Sequence, residues 1–178
     1  GRRSCQQHQQ DTTYILLMLQ VMKAKDKKQL KCVILTMRRE NVILPNSLVA
    51  EIISVKDVDS SGDHPDWYLG KMKWRGEDIP LLSFEAAGGD TVSGINLNTQ
   101  AVVLYAVGKG DQIAEHPYVG LVMSGVPHVT HFSRHQIITD KEANYDHPMI
   151  AQKVRINGAS VSVLDVDHMA EMVQETAA

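Results

Sequence analysis

Aromatic side chains are scarce in this chain of 178 residues: two Trp, two Phe and five Tyr, 5% of the total. Val, Ile, Leu and Met must therefore fill any interior, which favours small β-rich units over one large aromatic-lined cavity. Cysteine is scarcer still. Cys5 lies in a polar leader and Cys32 in an apolar run, a usage that fits a reduced, cytoplasmic protein better than a disulfide framework. Long apolar runs are missing too. Tyr14–Met22 spans nine residues, against the roughly 20 needed to cross a bilayer. No small-residue cleavage site follows it, so it does not read as a signal peptide.

The sequence is equally poor in catalytic patterns. GGDTVSG, from Gly88 to Gly94, lacks the Lys and Ser/Thr arrangement of a phosphate-cradling loop. No Ser, Cys or Lys stands in a nucleophile elbow or triad order. Glu77 and Asp78 are adjacent, so on a strand they point to opposite faces and cannot share a substrate. His128, His131 and His135 have the three- and four-residue spacings that would align imidazoles on a helix face as metal ligands. Yet no Glu follows a His as in a zincin, and Pro127 interrupts a helix there. A metal-dependent enzyme built on these histidines is the alternative to a non-catalytic protein.

Charge is unevenly placed. Up to Arg39 there are nine Lys/Arg against two Asp/Glu; beyond it there are nine against nineteen. The body is acidic, which argues against a nucleic-acid face. Residues 1–28 read as a leader or tag, with Met22 as the expected natural start and Lys23–Lys28 as a solvated arm.

Strand signals dominate what is present. Leu30–Met37 has the β-branched, apolar composition of a buried strand; Arg38–Asn41 supplies a turn and Val42–Leu44 a second strand. Leu48, Val49, Ile52 and Ile53 then recur at helical spacing, with Pro45 or Asn46 at the helix start. Asp57–Asp66 is a loop by composition. In Trp67–Phe84, Met72 and Trp74 alternate with Lys71, Lys73 and Arg75, Gly76 stands at the corner, and Pro80 favours an edge or strand-start position. Glu85–Asn98 reads as a flexible loop. Ala101–Val107 and Tyr118–Val126 are strands joined by a polar turn, and Ser133–Asp140 holds a short helical turn. Ile150–Val166 is a last hairpin turning at Asn157–Gly158, before a helix from about Asp167, capped by that side chain and lined by Met169, Met172 and Val173.

Two of these hairpins repeat each other. Placing Gly76 on Gly158 aligns Met72 with Val154, Trp74 with Ile156, Ile79 with Val161, Leu82 with Leu164 and Phe84 with Val166. Two similar small β units packed side by side follow, with the groove between them as a natural binding site.

The stretch PDWYLGKMKWRGEDIPLLSF, from Pro65 to Phe84, resembles the central signature of the CheW-like chemosensory coupling domain. LKCVILTMRRENVILPNSLVAEIISV is similar to that family's opening hairpin and its V-x-E-I-I helix, YVGLVMSGVPHV to its V-G-L-x-V segment, and KVRINGASVSVLDVDHM to its closing strands and last helix. The likeness covers about Leu30–Val173, placing a CheW-like domain at residues 29–178. It implies a mainly β fold: two five-stranded SH3-like barrels with short helices and a C-terminal helix. It also implies a non-enzymatic adaptor with no cofactor, cytoplasmic and recruited to membrane-associated receptor arrays. The expected partners are the cytoplasmic tip of a chemoreceptor, the regulatory domain of a CheA-type histidine kinase, and other CheW-like proteins, with neither nucleic acid nor membrane insertion. Carried over by motif, Glu51 and Arg75 lie at or near the receptor-facing groove, and Val49, Gly70, Gly76, Gly120 and Val129 shape that surface. LPNSLVAE, from Leu44 to Glu51, looks most like the variants serving type IV pilus-linked twitching. One departure stands out: Ser124 occupies the place where the family often has Asp.

Overall fold

The computed structural model describes residues 29–92, 94–106 and 117–177. The leader, Cys5, Tyr14–Met22 and most of the Gly108–Pro117 turn lie outside them. The chain divides into two units, one built from the described residues up to Ser47 with Pro127–Tyr145 and Ile150–Leu164, the other from Leu48–Val126, Asp146–Met149 and the residues from Asp165 on.

The first unit holds β1 (Leu30–Thr36), β2 (Asn41–Pro45), β8 (His128–Phe132), β9 (Ile137–Thr139), β10 (Ile150–Ile156) and β11 (Ala159–Leu164). They form one sheet in the order β8-β1-β2-β11-β10-β9. β8 and β9 stand at opposite ends of that order, yet only a 3-10 turn at Arg134–Gln136 and its flanks join them, so the sheet curls round on itself. Its interior is aliphatic, from Leu30 and Cys32 through Ile43, Val154 and Val163, with Phe132 packed against them. Ser162 is buried and donates its hydroxyl proton to the Glu40 carboxylate.

The second unit holds β3 (Val49–Ser54), β4 (Tyr68–Trp74), β5 (Glu77–Leu82), β6 (Gln100–Tyr105) and β7 (Tyr118–Met123), with the short helix α1 (Phe84–Ala87) and the longer α2 (Val166–Ala177). The order is β3-β6-β7-β5-β4, with Met72, Trp74, Ile79, Leu81 and Val103 in its core. Met169 and Met172 of α2 are buried as the sequence implied. Mainly β architecture is thus observed, with five strands in one sheet and six in the other among the described residues, three-residue β9 being the addition.

The repeat extends beyond side-chain pattern to backbone detail. Both hairpins turn through two residues at positive φ, Arg75 (49°) and Gly76 (78°) in one, Asn157 (52°) and Gly158 (83°) in the other, as a two-residue connection of twisted strands demands. Both carry a bulge at the same place, between Tyr68 and Gly70 and between Ile150 and Gln152. Each second strand then runs parallel to its other neighbour, β5 beside the later β7 and β11 beside the earlier β2, and each leads into a capped helix. The Ser83 hydroxyl accepts from Ala86 N–H at 3.2 Å and the Asp165 carboxylate from His168 N–H at 3.0 Å.

Several sequence expectations give way here. Val49–Ser54 is a strand, not a helix; only Asn46–Leu48 makes a single 3-10 turn. Pairing with β6 and the β-branched residues outweigh the one-and-four spacing, and Ile52 comes out 42% exposed on the opposite face from Ile53. The cap of the last helix is Asp165 rather than Asp167. Glu85–Asn98 is not all loop, since α1 occupies its start and Gly88 ends it. Pro80 lies on an interior strand. Lys71 spends both its N–H and C=O on Asp59, so the opposed pair Lys71–Pro80 is the non-hydrogen-bonded kind and Pro80 faces its missing donor away from β4. On that side β5 pairs with β7 only at Leu81 and Leu82, and no ladder bond is lost.

Candidate functional site

Glu51 sits mid-strand on β3, on the half-buried face it shares with Val49 and Ile53. Its carboxylate meets the far end of the sheet: Trp74 Nε1–H of β4 donates to Oε2 at 2.7 Å. Arg75 Nε approaches the same oxygen at 3.5 Å, and its guanidinium carbon lies 4.7 Å from the centre of the Trp74 ring. One carboxylate oxygen therefore ties the two terminal strands of the curled sheet. The indole supplies most of that tie, because the Arg75 and Glu51 side chains are 67% and 42% exposed and an ion pair in such water is worth at most about 1 kcal/mol.

Arg75 is placed at a cost. A non-glycine residue at φ 49° gives up about 1 kcal/mol or more relative to glycine, and the matching position in the other unit carries Asn157, which tolerates that region better. Strain kept at an exposed cation points to function. The contact with Glu51 is made through Nε, on one side of a guanidinium fork that can grip a carboxylate bidentately.

Around this centre lies a shallow cavity of about 470 Å³. Ile53, Met72 and Trp74 give it an apolar floor, and Lys56, Lys73 and Arg75 outnumber Glu51 at the rim. Lys73 is drawn to Asp78 at 2.8 Å. An acidic chain thus carries a locally cationic, apolar-floored recess.

The other sequence-assigned residues scatter. Gly76 is the exposed corner beside Arg75. Gly70 and Gly120 are buried in the sheet. A Cβ on Gly70 would stand 2.8 Å from the Asp59 carbonyl carbon, and φ there is +137°; one on Gly120 would meet the flexible Met72 Cε at 2.9 Å. Their role is to let strands and loop approach. Val49 is half-buried at the start of β3, whereas Val129 belongs to the first unit and is 58% exposed.

The histidines do not share a helix face. His128 and His131 lie on strand β8, where an odd separation sends them to opposite sides, and His135 lies in the following 3-10 turn. Among the described residues no cluster of His, Cys, Asp or Glu is arranged to hold a metal. Register explains His128 differently. Ile34 pairs with His128 where, in the other unit, Val103 pairs with Glu51, so His128 is the repeat's counterpart of Glu51. Ser124 donates to Glu85 Oε1 at 3.3 Å, placing a carboxylate from α1 beside the end of β7.

Sequence reasoning missed Trp74 as a functional partner, treating it as core alone. The available signal was an indole N–H that needs an acceptor once buried, with Glu51 the acidic residue on a neighbouring apolar strand.

The sequence profile of the CheW-like domain matches residues 31–174. Among solved structures, the scaffolding protein TtCheW from Thermoanaerobacter tengcongensis superposes with a TM-score of 0.63 at 14% identity, over 80% of this chain and 88% of that one. That likeness is one of fold. No curated protein matches the chain significantly in sequence.

Proposed function

Because the chain belongs to the CheW-like domain family, we propose that it is a non-enzymatic adaptor, coupling chemoreceptors to a CheA-type histidine kinase in a chemosensory array. The observation that carries this reading is the Glu51–Trp74–Arg75 centre with its apolar floor and cationic rim. Such a recess suits the acidic, apolar surface of a helical hairpin, the form of a chemoreceptor's cytoplasmic tip, and it holds no arrangement of nucleophile, base and oxyanion donor. Val49, Gly70, Gly76 and Gly120 support that surface, and Val129 is a separate contact residue on the first unit. Other CheW-like proteins are further partners, the site of action is the cytoplasmic face of the array, and the Leu44–Glu51 wording favours a twitching, pilus-linked system. Among the described residues no helix is long and apolar enough to cross a membrane.

Arg75→Lys tests the reading. Lysine keeps the charge but not the planar fork, so affinity for a purified receptor hairpin should fall by about tenfold, the loss of one charge-assisted hydrogen bond, with unfolding unchanged. Equal affinity in a calorimetric titration rules the role out.

A further inference from the structure

Three of the chain's few aromatic rings form one run beside this centre. Trp74 and Tyr118 have centroids 4.8 Å apart, and Tyr118 and Tyr105 5.4 Å. Tyr105 and Tyr118 are the terminal cross-strand pair of β6 and β7. The four residues of β6 before Tyr105 are fully buried, yet Tyr105 is 37% exposed.

The fold itself does not demand these rings. Registers of the two units correspond: Leu81 pairs with Gly120 where Val163 pairs with Ile43, and those strands end at Tyr105–Tyr118 in one unit and Thr36–Asn41 in the other. Ile156, Asn41 and Thr36 thus stand where Trp74, Tyr118 and Tyr105 do, and the first unit closes its strands without an aromatic there. A stack that one copy keeps and the other dispenses with is free to serve recognition.

We infer that the partner-binding surface runs from Arg75 past Tyr118 to Tyr105, over the buried Trp74 ring that supports both ends, and that Tyr105 is a specificity-determining residue contacting an apolar side chain of the same acidic helical hairpin. This rests on the adaptor reading above. A tyrosine ring offers large contact area with few torsions to freeze, and here its neighbours already fix its place. Aromatic anchors of this kind dominate interface energetics.

The test compares Tyr105→Ala, Tyr105→Phe and Arg75→Lys in titrations of the full chain with a receptor hairpin, each paired with thermal unfolding. Tyr105→Ala should raise Kd about tenfold, whereas Tyr105→Phe, which keeps the ring, should stay within about threefold, both with near-native unfolding. Unchanged Kd for Tyr105→Ala alongside weakened binding by Arg75→Lys overturns this inference alone. Unchanged Kd for both overturns the adaptor reading with it. If Tyr105→Ala lowers the unfolding temperature and leaves Kd intact, the stack is structural and the inference fails.

Discussion

Replacing Gly70 by Ala separates a residue that builds the fold from one that touches a partner. Gly70 is buried on β4 at φ +137°, and a methyl group there would press into the Asp59 backbone and Val58 Cγ1. An L-residue at such φ costs about 1–3 kcal/mol. Relieving the clash means moving Asp59 off Lys71, which forfeits two backbone hydrogen bonds of 2.8 and 2.9 Å worth about 1 kcal/mol each. Together about 3–5 kcal/mol is lost, a fall in unfolding temperature of roughly 10 °C for a domain of this size. Gly76→Ala is the internal control. It also sits at positive φ, but its Cβ meets nothing within 4 Å, so only about 1–2 kcal/mol of backbone strain applies. Thermal unfolding followed by circular dichroism should rank Gly70→Ala well below Gly76→Ala and both below the parent. If Gly70→Ala unfolds within about 2 °C of the parent, the steric reasoning is wrong; if it also loses partner binding, Gly70 is a contact residue after all.

Asp165→Ala removes the acceptor for His168 N–H and should cost about 1 kcal/mol in urea unfolding, more than Ser83→Ala, whose helix has only four residues. Burial pushes the Cys32 thiol up to about 11 from 9.0; in a Cys5→Ser background it should resist thiol reagents at pH 8 until the protein unfolds, and rapid labelling of native protein would contradict that burial. The raised value also means that its contribution to stability is full below about pH 9 and is lost as pH climbs through about 11. His64 has its Nε2 2.9 Å from the Ser60 carbonyl and its Nδ1 3.3 Å from that of Pro65, and only the imidazolium donates to both. These two bonds, Ser60's the larger, raise its pKa above 6.5, so loop order is complete below pH 6.5 and declines as pH rises through the higher folded value. NMR titration should show Ser60–Gly62 amides moving with the His64 ring, and independent midpoints would refute the coupling.

Much of the fold was legible because it is written twice. The coincidence of Met72, Trp74, Ile79 and Leu82 with Val154, Ile156, Val161 and Leu164 reflects two hairpins that share turn, bulge and cap. Legibility failed where tertiary pairing overrode local pattern. Val49–Ser54 has apolar residues at spacings a helix also satisfies, and only β6 beside it decides for strand. Pro80 reads as an edge residue until the bonding phase set by Lys71 and Asp59 shows that its missing donor is harmless. At the site, Glu51 and Arg75 were readable through a resemblance, but the indole that joins them was not, since nothing local in a sequence shows that the first and last strands of a sheet will meet.

The chain's route through its two units has a consequence for assembly. Leu30 pairs with Phe132, more than a hundred residues along, while β3 to β7 pair among themselves within Val49–Met123. The earlier half of the first unit, β1 and β2, must wait with both outer edges bare until the intervening segment has been made and drawn together. Closing a loop of that length costs entropy before any contact repays it. Compaction of the intervening segment shortens the search. During synthesis β1 and β2 emerge before β3 to β7 yet gain their outer neighbours β8 and β11 only after them, and in that interval they offer open apolar edges to any neighbouring strand.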